Sequence, residues 1–82
     1  MTTIKLKLFA QAKDLVQSDT INVELNEPGN LTDFKNALAD QYPELTPVLP
    51  NLLFAIGTSY AEENTQIDEN SEIACFPPVS GG

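Results

Sequence analysis

The chain has 82 residues, with 4 basic and 12 acidic side chains, a net charge of −8, one Cys and neither His nor Trp. One cysteine excludes an internal disulfide, and one Cys with no His excludes a four-ligand zinc site. The negative field repels phosphate, so neither nucleic acid nor an anionic membrane surface is an expected partner.

A chain of this length holds one small domain with a modest core. Its hydrophobic share of 41% is that of a folded protein rather than a disordered one. The N-terminus has no basic head followed by an apolar stretch, so no signal peptide is expected. No apolar run approaches the roughly 20 residues that cross a bilayer. The cytoplasm is the simplest location.

Residues 3–10 alternate, with Ile4, Leu6, Leu8 and Ala10 in one phase and Lys5, Lys7 and Phe9 in the other. That is the pattern of a half-buried strand. Residues 20–25 repeat it, with Ile21, Val23 and Leu25 against Asn22 and Glu24. The two strands are expected to pair antiparallel across residues 11–19, a wider loop than a tight hairpin uses. Pro28-Gly29 marks a turn, and Asn30 with Asp33 forms a capping box that opens a helix. Leu31, Phe34, Leu38 and Tyr42 recur at helical spacing, with Ala37 on the same face, and Pro43 stops the run.

Pro47 and Pro50 bracket an irregular stretch. Residues 52–56 form a continuous apolar run, read as a central strand that Gly57 ends. Residues 58–70 are polar and acidic, with a short strand near Tyr60 and a turn over residues 68–70. Residues 71–76 are the last strand, with Ile73 and Cys75 on one side and Glu72, Ala74 and Phe76 on the other. One helix packed across one face of a mixed sheet buries all of these apolar faces, which makes the fold class α+β. The domain is expected over residues 1–76, with an extended tail over 77–82.

The tail carries the chemistry. Pro77 and Pro78 fix φ, lack backbone donors and stiffen the path beyond Phe76. Val79, Ser80, Gly81 and Gly82 complete a narrow thread, and residues 76–82 span at most roughly 23 to 25 Å when extended. A free carboxylate at Gly82 is a poor acyl donor until it is activated. An activating enzyme must take it into a closed pocket, where a residue without Cβ allows close backbone approach. Gly-Gly alone is also compatible with an inert flexible terminus.

The run Phe76-Pro77-Pro78-Val79-Ser80-Gly81-Gly82 resembles the ending of the sulfur-carrying small subunits of molybdopterin synthase. Leu8-Phe9-Ala10, Leu52-Leu53-Phe54-Ala55-Ile56 and the acidic approach over residues 68–73 sit where that family has comparable segments. The resemblance implies the ubiquitin-like β-grasp fold, with the first and last strands adjacent and parallel. It implies that an adenylating (E1-like) activating enzyme uses ATP on the Gly82 carboxylate. A sulfur-donor system then converts it to a thiocarboxylate. The tail enters the large subunit of molybdopterin synthase and gives sulfur to cyclic pyranopterin monophosphate, forming the dithiolene. Two small subunits then join a dimer of large ones, and this chain binds no cofactor or metal itself. Gly57 and Cys75 depart from the family's commoner residues.

Nothing in the chain supplies the activation machinery, since there is no histidine base and no glycine-rich phosphate loop. It is therefore expected to be no enzyme alone. Phe9 and Phe76 fall on the strand phase opposite the expected core and are candidate interface anchors. A local bulge turning a ring inward, or a single exposed ring without a role, is the alternative. Cys75 reads as a small buried hydrophobe, and Glu62-Glu63 and Asp68-Glu69 as solvated loops. The charge of −8 is suited to steering towards basic partner surfaces. Other functions compatible with the same features are a thiamine-type sulfur carrier, a ubiquitin-like protein modifier and a β-grasp binding module with an inert tail.

Overall fold

The computed structural model describes residues 2–26 and 29–77. Pro28 of the expected turn, and Pro78, Val79, Ser80, Gly81 and Gly82 of the tail, lie outside the described residues. The elements run β1 (Thr2–Leu8), α1 (Ala10–Val16), β2 (Thr20–Leu25), β3 (Gly29–Asn30), α2 (Leu31–Gln41), β4 (Leu53–Ile56), β5 (Ser59–Tyr60), β6 (Gln66–Ile67) and β7 (Ile73–Phe76). Short 3-10 turns at Pro43–Leu45 and Leu49–Asn51 occupy the proline-bracketed stretch.

The main sheet has the order β2-β1-β7-β4-β5, and β3 pairs with β6 in a small second sheet. β1 and β2 are antiparallel, with Thr2 opposite Leu25 and Lys7 opposite Thr20. β1 and β7 are parallel, as expected of a β-grasp, with Leu6 beside Ile73 and Leu8 beside Cys75. β4 runs antiparallel to β7, with Leu53 opposite Phe76. Alternation sends Ile4, Leu6, Leu8, Ile21, Val23, Leu25, Phe54, Ile73 and Cys75 to the inner face, where all are buried.

α2 covers that inner face through Leu31, Phe34 and Leu38, the three buried residues of its apolar stripe. Phe34 meets Phe54 edge to face, with ring centroids 6.3 Å apart. Full burial of each such side chain contributes about 1.5–3 kcal/mol. The expected capping box is present. Asp33 N–H donates to Asn30 Oδ1 at 3.0 Å, and Asn30 N–H donates to Asp33 Oδ2 at 3.1 Å. Such a cap contributes about 1 kcal/mol. The Asp33 carboxylate lies so close over Gly29 that a Cβ there would collide with it, which accounts for glycine at this position. The C-terminal end of α2 also closes the sheet edge. Gln41 accepts from Glu24 N–H at 2.9 Å and donates to Glu24 C=O at 2.7 Å, taking the place of a neighbouring strand.

Three expectations are corrected and a fourth is refined. The first strand ends at Leu8, because Ala10 adopts φ 54° and starts α1. The wide loop over residues 11–19 is therefore mostly the helix α1, whose Ala12 enters the core. The apolar run over residues 52–56 does supply an interior strand, β4 between β7 and β5, but it is not buried throughout, since Leu53 points outward and is exposed. The polar stretch over residues 58–70 holds a further core residue, Ile67 on β6. Gly57 does end β4, with φ +63° and open space where a Cβ would stand.

Candidate functional site

The structural base of the tail is β7. It is hydrogen-bonded to β1 on one side and β4 on the other, so the chain leaves the domain from the middle of the sheet. Pro77 is exposed immediately after the strand. Having no N–H, it cannot extend the ladder past Phe76. The exit point is thus held by two neighbours and has a defined direction up to Pro77. The remaining expected site residues, Pro78 to Gly82, lie outside the described residues.

The outer face of the sheet surrounds this exit. Leu53 stands opposite Phe76, Ala55 opposite Ala74, and Tyr60 opposite Ala55. Residues paired in this way share a face. The Phe76 ring is half-buried and packs on Tyr60, with centroids 5.9 Å apart and planes inclined at 53°. Tyr60 is itself 66% exposed. Leu53, Ala55, Tyr60, Ala74 and Phe76 therefore form an apolar patch on the side of the sheet that α2 leaves open.

Phe9 is 47% exposed, but the pairing of β1 with β7 ends at Leu8 and Cys75, and Phe9 has left the strand to occupy the N-cap of α1. The aromatic partner of Phe76 among the described residues is Tyr60, not Phe9. Neither Phe9 nor Phe76 turns into the core. Tyr60 and Leu53 were missed from the sequence as members of this face. The signal for Leu53 was available: in an antiparallel pair with Phe76, it shares that residue's phase.

Cys75 is fully buried on the inner face, and desolvation pushes its thiol up to about 12. At neutral pH it stays protonated and is no nucleophile. In native protein, Cys75 is expected to resist iodoacetamide at pH 8 and to react only once unfolded, as intact mass will show. A thiol whose folded value is raised stabilises the fold below its ordinary value of 9.0. That contribution is lost as pH rises from there through about 12.

Of the loop carboxylates, Glu63 has a structural task. It accepts from Lys35 Nζ at 2.7 Å and from the Thr32 hydroxyl, which ties the loop to α2. The Lys35 hydrogen bond first, then that of Thr32, holds its carboxyl below the usual range. Glu62, Asp68 and Glu69 are exposed, as expected. Among the described residues no cluster of three or more His, Cys, Asp or Glu could hold a metal. No described helix is long and apolar enough to cross a membrane.

The match to known proteins covers both the domain and the tail. Residues 6–82 match the ThiS family. The chain belongs to the ThiS family. A molybdopterin synthase sulfur carrier subunit from Dictyostelium discoideum is 32% identical to this ThiS-family chain, covering 95% of it and 94% of the relative. Among solved structures, SAMP1 from Haloferax volcanii superposes with TM-score 0.81 at 26% identity, covering 98% of this chain and 99% of that one. Subunit 1 or 2 in the molybdopterin-converting factor complex from Helicobacter pylori 26695 aligns with TM-score 0.66 at 17% identity, covering 98% of this chain and 99% of that one, and shows likeness of fold. The fold is thus α+β and ubiquitin-like, a β-grasp.

Proposed function

We propose that this chain is the sulfur carrier subunit of molybdopterin synthase and that the carboxylate of Gly82 is its reacting group. The observation that supports this reading is that the middle strand of a ThiS-family sheet, β7, ends at Phe76, where the sequence run Pro77-Pro78-Val79-Ser80-Gly81-Gly82 begins. An adenylating enzyme joins the Gly82 carboxylate to the α-phosphate of ATP and releases pyrophosphate. The acyl-adenylate has a good leaving group, which the free carboxylate lacks. Sulfide-level sulfur from a donor system attacks the carbonyl, AMP departs with the former carboxylate oxygen, and a thiocarboxylate remains. Tail insertion into the large subunit brings that sulfur to cyclic pyranopterin monophosphate, and two such transfers build the dithiolene.

In this scheme the chain contributes positioning. β7 fixes where the tail begins, Pro77 and Pro78 direct it, Val79 and Ser80 lead inward, and Gly81 and Gly82 fit a narrow active site. The open sheet face around Phe76, with Phe9 at its margin, docks the large subunit. The reaction runs in the cytoplasm, in an assembly of two carriers and two large subunits. The chain holds no cofactor of its own, and ATP belongs to the activating enzyme.

Incubation with activating enzyme, ATP and a sulfur donor is expected to exchange one terminal oxygen for sulfur, read as an intact-mass increase. Added large subunit and cyclic pyranopterin monophosphate then return the mass to its starting value while molybdopterin forms. No sulfur gain under conditions that load a known carrier refutes the proposal. The likeness to SAMP1 favours a second reading, a protein modifier. That reading predicts Gly82 in isopeptide bonds to lysines of other proteins. A thiamine-type carrier would gain sulfur yet fail to make molybdopterin.

A further inference from the structure

The four basic residues of this chain are not spread evenly over its surface. Lys5 and Lys7 stand exposed on β1, two positions apart and therefore on the same outer face of the sheet. Lys7 lies beside Ala74 in the parallel pairing of β1 with β7. Ala74 belongs to the apolar patch that continues through Ala55 and Leu53 to Phe76. The two lysines line a shallow groove with Ser71, Glu72, Ala74 and Gly57. Gly57 keeps one wall low, since it has no side chain and its N–H donates to Glu72 C=O at 3.1 Å.

A chain with 12 carboxylates has ample means to neutralise two lysines. Among the described residues the one ion pair is Lys35 with Glu63, on the opposite side of the sheet. Glu72 shares the groove, yet it forms no ion pair with Lys5 or Lys7. The docking face thus presents two lysines that form no ion pair among the described residues, although the carboxylates of Glu72 in the groove and of Glu24 on the outer side of β2 share the face.

We propose that the partner protein bound by this sheet face places carboxylates against Lys5 and Lys7, beside the apolar surface it sets on Leu53 and Phe76. This rests on the reading that the open face docks the large subunit, and it adds the chemistry of the contact. The net charge guides approach to a basic partner, whereas the lysine pair fixes orientation at contact by requiring acid at one flank. A partner rotated on the apolar patch would put basic groups against the lysines and be rejected.

The test compares single variants carrying the same charge change. Lys5→Glu and Lys7→Glu alter the docking face, and Lys13→Glu alters α1 away from it. Affinity for purified molybdopterin synthase large subunit is measured by calorimetry at low and moderate salt. Lys5→Glu and Lys7→Glu are each expected to bind about tenfold more weakly, while Lys13→Glu binds as well as the unmodified chain or better. The neutral pair Lys5→Gln/Lys7→Gln adds no carboxylate beside Glu72, so its expected weakening cannot come from repulsion within the chain; circular dichroism confirms its fold. If the face only feels the overall field, the Glu variants bind a basic partner more tightly, and the proposal is overturned. Unchanged affinity in all lysine variants overturns it too. Phe76→Ala separates the two levels: weakened binding there with unaffected lysine variants removes only the charge contact. No effect of Phe76→Ala removes docking by this face altogether.

Discussion

Deleting Gly82, or adding one residue after it, is expected to abolish sulfur loading while leaving thermal unfolding unchanged. One residue displaces the reacting carbonyl by roughly 3.3 Å. Misplacement by 1 Å already costs about 100-fold in well-aligned reactions. The sheet closes where Leu53 pairs with Phe76, so every described strand pairing survives either change. Intact mass after reaction with activating enzyme, ATP and sulfur donor measures the first half; calorimetry measures the second. Full loading of the extended chain, without prior trimming, contradicts the role given to the Gly82 carboxylate. A Gly81→Val change probes the same pocket more gently, because the bulk is added beside the reacting group rather than beyond it.

Phe34→Ala is expected to be the most damaging single change to the fold. Phe34 is fully buried in the middle of α2 and makes the edge-to-face contact with Phe54. Truncation of a buried phenylalanine costs about 3–5 kcal/mol, from lost transfer energy plus the cavity left behind. A chain of this size has of order 4–12 kcal/mol in total, at about 0.05–0.15 kcal/mol per residue. The variant should therefore unfold at much lower urea concentration, with a similar slope, followed by far-UV circular dichroism. Phe54→Leu keeps most of the volume and should lose far less. Equal losses in the two variants would show that the aromatic contact, rather than the filled volume, is what matters.

How much could be read from residues alone depended on local signals. The two N-terminal strands were legible because their alternation is unbroken, and α2 because it has a capping box, a regular apolar stripe and a proline after it. α1 carried none of those marks. Its N-cap is Phe9, with no side-chain cap bond, and its end is set by Gln17 at φ 62°, a conformation usually assigned to glycine or asparagine. It is seven residues long and buries only Ala12, so periodicity had little to report. β6 was hidden for a similar reason, since a two-residue strand among polar neighbours shows its one core residue, Ile67, only when α2 and β3 are in place.

The site divides along the same line. The tail motif is a linear string, so it was visible at once. The face beside it is assembled from β1, β4, β5 and β7, and pairing register is not written in any one segment. Phe76 was found through its phase, but its ring partner Tyr60 arrives from a hairpin whose geometry depends on Gly57 at φ +63°. A continuous apolar run such as residues 52–56 conceals which of its members faces outward. Leu53 is decided only by standing opposite Phe76.

The middle strand of the sheet is also the last one to leave the ribosome. Until residues 73–76 emerge, no strand joins the β1–β2 pair to the β4–β5 pair, and the sheet beneath α2 has a gap between Leu6 and Phe54. Long-range closure of this kind is slow and leaves apolar surface open while it waits. A nascent chain that stalls before that point, or one clipped upstream of it, therefore presents a sheet without its middle strand to proteases and chaperones. Under the proposed carrier role, quality control and chemical competence are then tied to one short segment, so a molecule that offers its Gly82 carbonyl is one whose sheet has already been completed.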